Sequence, residues 1–113
     1  MVRLTVALKA PPRGGGELDE ALRYLGVTTR HDAGCLGCSA WADGDGVVHY
    51  VEEWVTEDQM RQRVRSERFV SLLAVLESAA EAPQVQFDFV TTTRGLDYVA
   101  EAREQGRSGD TDV

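Results

Sequence analysis

The chain has 113 residues and a mass of 12.4 kDa, room for one domain and not two. Hydrophobic residues at 42% and charged residues at 27% place it among globular proteins and not among disordered chains. Twelve basic against 19 acidic side chains leave a net charge of −7, which argues against a nucleic-acid binder or a reader of anionic membranes.

Val2, Leu4, Val6 and Leu8 alternate with Arg3, Thr5, Ala7 and Lys9, the period of a half-buried strand. Pro11, Pro12 and Gly14-Gly15-Gly16 then predict a flexible loop. From Glu17, the set Leu18, Ala21, Leu22, Leu25 recurs at helical spacing, with Gly26 as the expected stop. Gly34–Ala42 and Val47–Trp54 read as strands, and Asp43-Gly44-Asp45-Gly46 between them is a strong hairpin signal. Thr56 to Gln59 has the pattern of a capping box. One long helix is expected from there to Pro83, with Met60, Val64, Phe69, Leu72, Leu73 and Leu76 on its apolar face. Val85, Phe87 and Phe89 alternate with Gln84, Gln86 and Asp88 as a fourth strand. After Gly95, the residues Leu96, Val99 and Ala100 begin a terminal helix, and Gly106–Val113 reads as a flexible polar tail.

The order β-α-β-β-α-β plus a terminal helix is that of an α+β, ferredoxin-like split β-α-β fold, one domain over residues 1–105 followed by the tail. Its helices cover one face of the sheet. Val47 and Val51 leave apolar groups on the other face too, so a homodimer packed sheet against sheet is expected.

Tyr50, Glu52 and Trp54 share one strand face, with Trp41 on the partner strand. They suggest an aromatic pocket for a planar substrate, the alternative being aromatics that only fill a core or interface. His49, on the opposite face, carries an imidazole suited to a general base, the alternative being a structural or interface histidine. Cys35 and Cys38 form a C-x-x-C inside a strand, where i and i+3 point to opposite faces. The thiols should diverge, so neither a redox pair nor a disulfide is expected, and no ligand set for a metal accompanies them. Two cysteines are too few for a disulfide scaffold, and neither a membrane span nor a signal peptide is visible, which points to a cytoplasmic protein. Arg61, Arg63, Arg65 and Arg68 make a basic cluster. Either it attracts an anionic substrate, or it is a solvated face paired with Glu57, Asp58 and Glu67.

Gly34-Cys35-Leu36-Gly37-Cys38, then Glu53-Trp54, Thr56-Glu57-Asp58 and Arg65-Ser66-Glu67-Arg68-Phe69 together resemble the antibiotic biosynthesis monooxygenase family of dimeric α+β barrels. The spacing agrees from about Val2 to Val90, and Gly95 to Val99 with Ala102-Arg103 is similar to its quinol monooxygenase subgroup. The resemblance implies a cofactor-independent oxygenase. Such a protein holds a phenol or hydroquinone in a dry cavity and assists its deprotonation, and the anion passes an electron to O2. Trp54 matches the family's tryptophan. Tyr50 and Met60 stand where polyketide-tailoring members carry Asn and Tyr, and Arg63 stands where many quinol-type members carry His. Leu73 replaces a histidine of haem-degrading members, which also need an Asn on the first strand; the chain has no Asn, so haem degradation is disfavoured.

The catalytic candidates are therefore Trp54, Tyr50 and His49. The candidate substrate contacts are Trp41, Glu52, Met60, Arg63 and Phe69, with no metal or cofactor expected. The alternative function is a catalytically inactive dimeric barrel that binds a small hydrophobic ligand or serves as an accessory subunit.

Overall fold

A computed structural model describes the backbone of residues 1–11 and 15–111, and the side chains of 1–11 and 16–105. Pro12 and Gly14 of the expected loop, and the last two residues of the expected tail, lie outside these described residues. The elements are β1 (Val2–Lys9), α1 (Gly15–Thr29), β2 (Cys35–Ala42), β3 (Val47–Trp54), α2 (Glu57–Arg65), α3 (Glu67–Glu77), β4 (Gln84–Phe89) and α4 (Leu96–Thr111). The strands form one antiparallel sheet in the order β2-β3-β1-β4, the split β-α-β arrangement read from the periodicities.

The alternation of β1 and β3 decides which face is covered. Val2, Leu4, Val6 and Leu8 on β1, and Val48, Tyr50, Glu52 and Trp54 on β3, are all buried toward the helices. Leu18 and Leu22 of α1 and Phe69, Leu72 and Leu76 of α3 complete the core from above. The hairpin forms at the expected place. The Asp43 carboxylate accepts from the Asp45 and Val47 amides (2.8 and 3.1 Å), and Gly46 takes a positive φ of 80°.

Three expectations need correction. Gly15 and Gly16 belong to α1 and not to a loop, because a first helical turn needs only free amides, and Glu17 there complements the helix dipole. Gly26 does not stop α1, which runs on to Thr29. Its missing side chain serves packing instead: a Cβ there would stand 3.3 Å from Cys38 Sγ on β2. The left-handed turn comes later, at Gly34 with φ +86°.

The long helix is two helices. Ser66 leaves the helical region at ψ 154°; its hydroxyl donates to Arg63 O (2.6 Å) and accepts from Phe69 N (3.3 Å), closing α2 and capping α3 in one residue. After β4, α4 spans Leu96–Thr111.

The open face of the sheet is mixed, carrying Arg3, Thr5, Ala7 and Lys9 beside Val47, His49, Val51 and Glu53. The larger exposed apolar groups lie elsewhere. Val85, Phe87 and Phe89 on the helix side of β4, and Leu96, Tyr98 and Val99 on α4, are only partly covered within the protomer.

Candidate functional site

Tyr50, Glu52 and Trp54 point into the interior because they occupy alternate positions of β3. The Glu52 carboxylate is fully buried and saturated. Its Oε1 accepts from Trp54 Nε1 (2.9 Å) and Arg63 Nε (3.1 Å); its Oε2 accepts from Tyr50 OH (2.5 Å) and Arg63 Nη2 (3.0 Å). Arg63 reaches it from α2, where the i, i+3 spacing from buried Met60 turns the guanidinium inward. It is 4% exposed, contrary to the solvated face that a basic cluster suggests, and its guanidinium lies 5.2 Å from the centre of the Phe69 ring. Its Nη1 is buried without a partner.

The electrostatics follow from this closure. Burial works against the Arg63 charge, but the hydrogen bonds and charge of Glu52 outweigh it and hold the guanidinium pKa above its ordinary value. Burial, then the Glu52 carboxylate, push the Tyr50 phenol far up, so it stays protonated. Cys38 Sγ donates to the Tyr50 oxygen at 3.2 Å, and burial raises this thiol to about 11. With its own proton committed to Glu52, Tyr50 is not a base for a substrate.

The two cysteines do not diverge. A bulge between Cys35 and Gly37 shifts the β2 register, so Cys35 faces Trp54 and Cys38 faces Glu52 across the ladder, on the same face. Both are free thiols. The same shift sends Trp41 to the open face, away from Tyr50 and Trp54. There it stacks on His49 with ring centres 5.2 Å apart, and His49 Nε2 lies 2.8 Å from Asp43 Oδ2. The structure thus unites Trp54, Tyr50, Glu52, Arg63 and Phe69, and separates Trp41 and His49 from them.

Open volume lies beside this cluster. A cavity of about 290 Å³ between the sheet and α3 is lined by apolar groups only, among them Leu4, Val6, Phe69, Leu72 and Val85. An outer groove of about 390 Å³ between α2 and β4 is lined by Glu57, Met60, Arg61, Arg65 and Phe89. Val64 and Phe87 belong to both, so the two are neighbouring compartments. The groove's polar groups all come from α2. Arg61 donates to Glu57 Oε1 through Nε (3.2 Å) and Nη2 (2.9 Å), whereas Arg65 makes no ion pair among the described residues. Sequence reasoning named these arginines but not their place on a groove. The signal was there: Glu57, Met60, Arg61, Val64 and Arg65 follow i, i+3, i+4, i+7, i+8, one helix face. Among the described residues no group of three or more His, Cys, Asp and Glu side chains could hold a metal, and no helix is long and apolar enough to cross a membrane.

No protein-family model matches the chain, and no curated protein is a significant match. Solved structures do match. A Deinococcus radiodurans protein carrying the antibiotic biosynthesis monooxygenase name superposes with a TM-score of 0.74 at 17% identity, over 84% of this chain and 97% of its own. A Nitrosomonas europaea protein of the same name gives 0.70 at 12% identity, over 81% and 100%. A third structure so named gives 0.69 at 17% identity, over 81% and 100%. The chain has the fold of these proteins.

Proposed function

We propose that the protein is a cofactor-independent monooxygenase-type barrel that takes a small hydroquinone or phenol, its ring in the apolar cavity and its oxygen toward Arg65. The observation that carries this is the pair of adjoining compartments, one wholly apolar and one edged with two arginines and a single carboxylate. A planar amphipathic ligand matches that division.

In this reading Arg65 favours the ionised oxygen and Glu57, the only carboxylate among the groove's described lining residues, receives the proton. The anion gives one electron to O2, the radical pair joins as a C–O bond, and the hydroperoxide loses water. One hydroquinone and one O2 become one hydroxyquinone and one H2O. Tyr50, Glu52, Trp54 and Arg63 are positioning residues that lock β3 to α2, and His49 lies on the far face of the sheet.

A second reading, a barrel that binds such a ligand without turning it over, is favoured by the saturation of Glu52, which leaves the most buried polar cluster no free acceptor. Oxygen uptake and thermal melting with hydroquinones, naphthols and anthrones separate the two. Uptake together with a raised Tm supports the oxygenase; a raised Tm alone supports the binding protein. Val64→Phe, placed between the compartments, should keep the fold and abolish the ligand-induced shift. A shift that survives it puts the ligand elsewhere.

A further inference from the structure

We propose that Cys35 and Cys38 are a redox modification site: peroxide closes them into a reversible disulfide, and closing it removes the hydrogen bond that Cys38 gives Tyr50. The inference is independent of the ligand assignment above.

The bulge in β2 makes the pair possible. In a regular strand residues i and i+3 stand on opposite faces, with Cα atoms about 10 Å apart. Here Cys35 pairs with Trp54 and Cys38 with Glu52, and those partners are two residues apart on one face of β3. Two residues of strand rise come to about 6.6 Å, inside the roughly 4.4–6.8 Å that disulfide-bonded Cα atoms usually keep. The Cys35 thiol already leans along the strand. It donates to Gly37 O at 3.5 Å, the carbonyl of the peptide bond that leads into Cys38. Leu36 is 60% exposed, and a Cβ on Gly37 would meet nothing within 4 Å, so the two residues between the thiols have room to adjust.

Access sets the order of steps. Cys35 is half-buried, whereas Cys38 is 6% exposed. The Cys35 thiolate attacks one oxygen of hydrogen peroxide; an S–O bond forms, the O–O bond breaks, and the departing hydroxide takes up the thiol's proton as water. The Cys38 sulfur then attacks the Cys35 sulfur; the S–S bond forms, the S–O bond breaks, and the Cys38 proton leaves with that hydroxide as a second water. Two thiols and one H2O2 become one disulfide and two H2O. Burial holds both thiols above their ordinary pKa, Cys38 at about 11, so thiolate is scarce at neutral pH and closure needs sustained peroxide.

The coupling follows from what Cys38 touches. Its Sγ donates to Tyr50 OH (3.2 Å), whose own proton goes to Glu52 (2.5 Å), and a Cβ on Gly26 of α1 would stand 3.3 Å from the same sulfur. A disulfide removes the thiol proton and draws the sulfur toward Cys35, so Tyr50 loses a buried donor. Constraint of the unfolded chain by the new bond works in the opposite direction. The informative quantity is therefore the Tm change on oxidation compared with and without the Tyr50 hydroxyl.

The test exposes the full reduced chain to hydrogen peroxide in native buffer, quenches it in acid, alkylates it in denaturant and maps it by mass spectrometry. Both alkylatable thiols should disappear together, with a mass lower by two hydrogen atoms, a Cys35–Cys38 link within one chain, and full reversal by dithiothreitol. Cys38→Ser should stop at a Cys35 sulfenic acid that dimedone traps. Cys35→Ser should leave Cys38 a thiol at the peroxide dose that closes the wild type. Oxidation should shift the wild-type Tm less favourably than that of Tyr50→Phe, which has no such bond to lose, and should reversibly shift the wild type's near-ultraviolet tyrosine absorbance. Thiols that survive peroxide overturn the proposal, as do a Cys35 that passes to sulfinic acid without a link and links that join two chains. Equal Tm shifts in the two proteins, or an unmoved tyrosine spectrum, overturn the coupling to Tyr50.

Discussion

Glu52 has no lone pair left for a substrate, because Trp54, Tyr50 and Arg63 donate four hydrogen bonds to its two oxygens. Its value is structural, and removing its charge leaves Arg63 buried without a counter-ion. Glu52→Gln should therefore cost about 3–5 kcal/mol, read as a lower urea midpoint. Glu52→Leu combined with Arg63→Met removes both charges and should recover much of that loss; a double variant as unstable as the single would mean the ion pair is not the cause. Cys38 makes a pH prediction. Burial raises its thiol from 9.0 to about 11, so between those values the unfolded chain has released a proton that the folded chain still holds. Stability from this group is full below about pH 9 and falls as pH rises toward 11. Cys38→Ala should flatten that part of the pH–stability curve, and an unchanged slope would count against it. Alternation along β3 made the inward set Tyr50, Glu52, Trp54 legible. Their saturation was not, since it depends on Arg63 arriving from an element eleven residues away.

At the level of elements, the sequence showed where strands and helices lie, and missed the single-residue devices that join them. Ser66 lies inside the five-residue step from Val64 to Phe69, where the i, i+3, i+4 apolar spacing breaks, a signal the single-helix reading passed over; its hydroxyl, used twice, ends one helix and starts the next. Ser66→Ala should cost about 1 kcal/mol, the usual loss for a cap. The bulge in β2 leaves no such mark: one extra residue keeps the composition of a strand unchanged but reverses the faces of everything beyond it, which is why Trp41 and Cys38 were misplaced. Gly34 is the position where a substitution tells most. Its φ is +86°, and a Cβ would fall 2.2 Å from Gln59 Cδ. Gly34→Ala should cost roughly 1–3 kcal/mol by chemical denaturation. Adding Gln59→Ala removes the clash and leaves the backbone strain, so the double variant should recover only part of the loss. Full recovery would mean the backbone conformation is not strained at all.

For the molecule as a whole, element order and strand pairing were readable because each period maps onto one burial pattern. The location of the uncovered apolar surface was not, since alternation names two faces without saying how far the helices reach; they stop short of β4. Charge presents a similar contest between the global and the local. The net −7 opposes an anionic ligand, while Arg61 and Arg65 favour one. Seven unit charges averaged at the 18.6 Å radius of gyration sum in water to roughly 1.6 kcal/mol, which salt near 0.1 M screens to a few tenths. One guanidinium about 4 Å from a phenolate is worth about 1 kcal/mol in water and ~4 kcal/mol at a partly shielded surface. The local interaction should win. A nitrocatechol, whose colour reports its own ionisation, should therefore turn to its anionic spectrum on binding at a pH below its solution pKa. Arg65→Gln should shift that transition back toward the solution value while leaving the fold intact, because Arg65 makes no ion pair among the described residues. If the dye binds with its neutral spectrum, or if Arg65→Gln leaves the transition where it was, the groove does not hold the ligand's oxygen and the assignment of Arg65 fails.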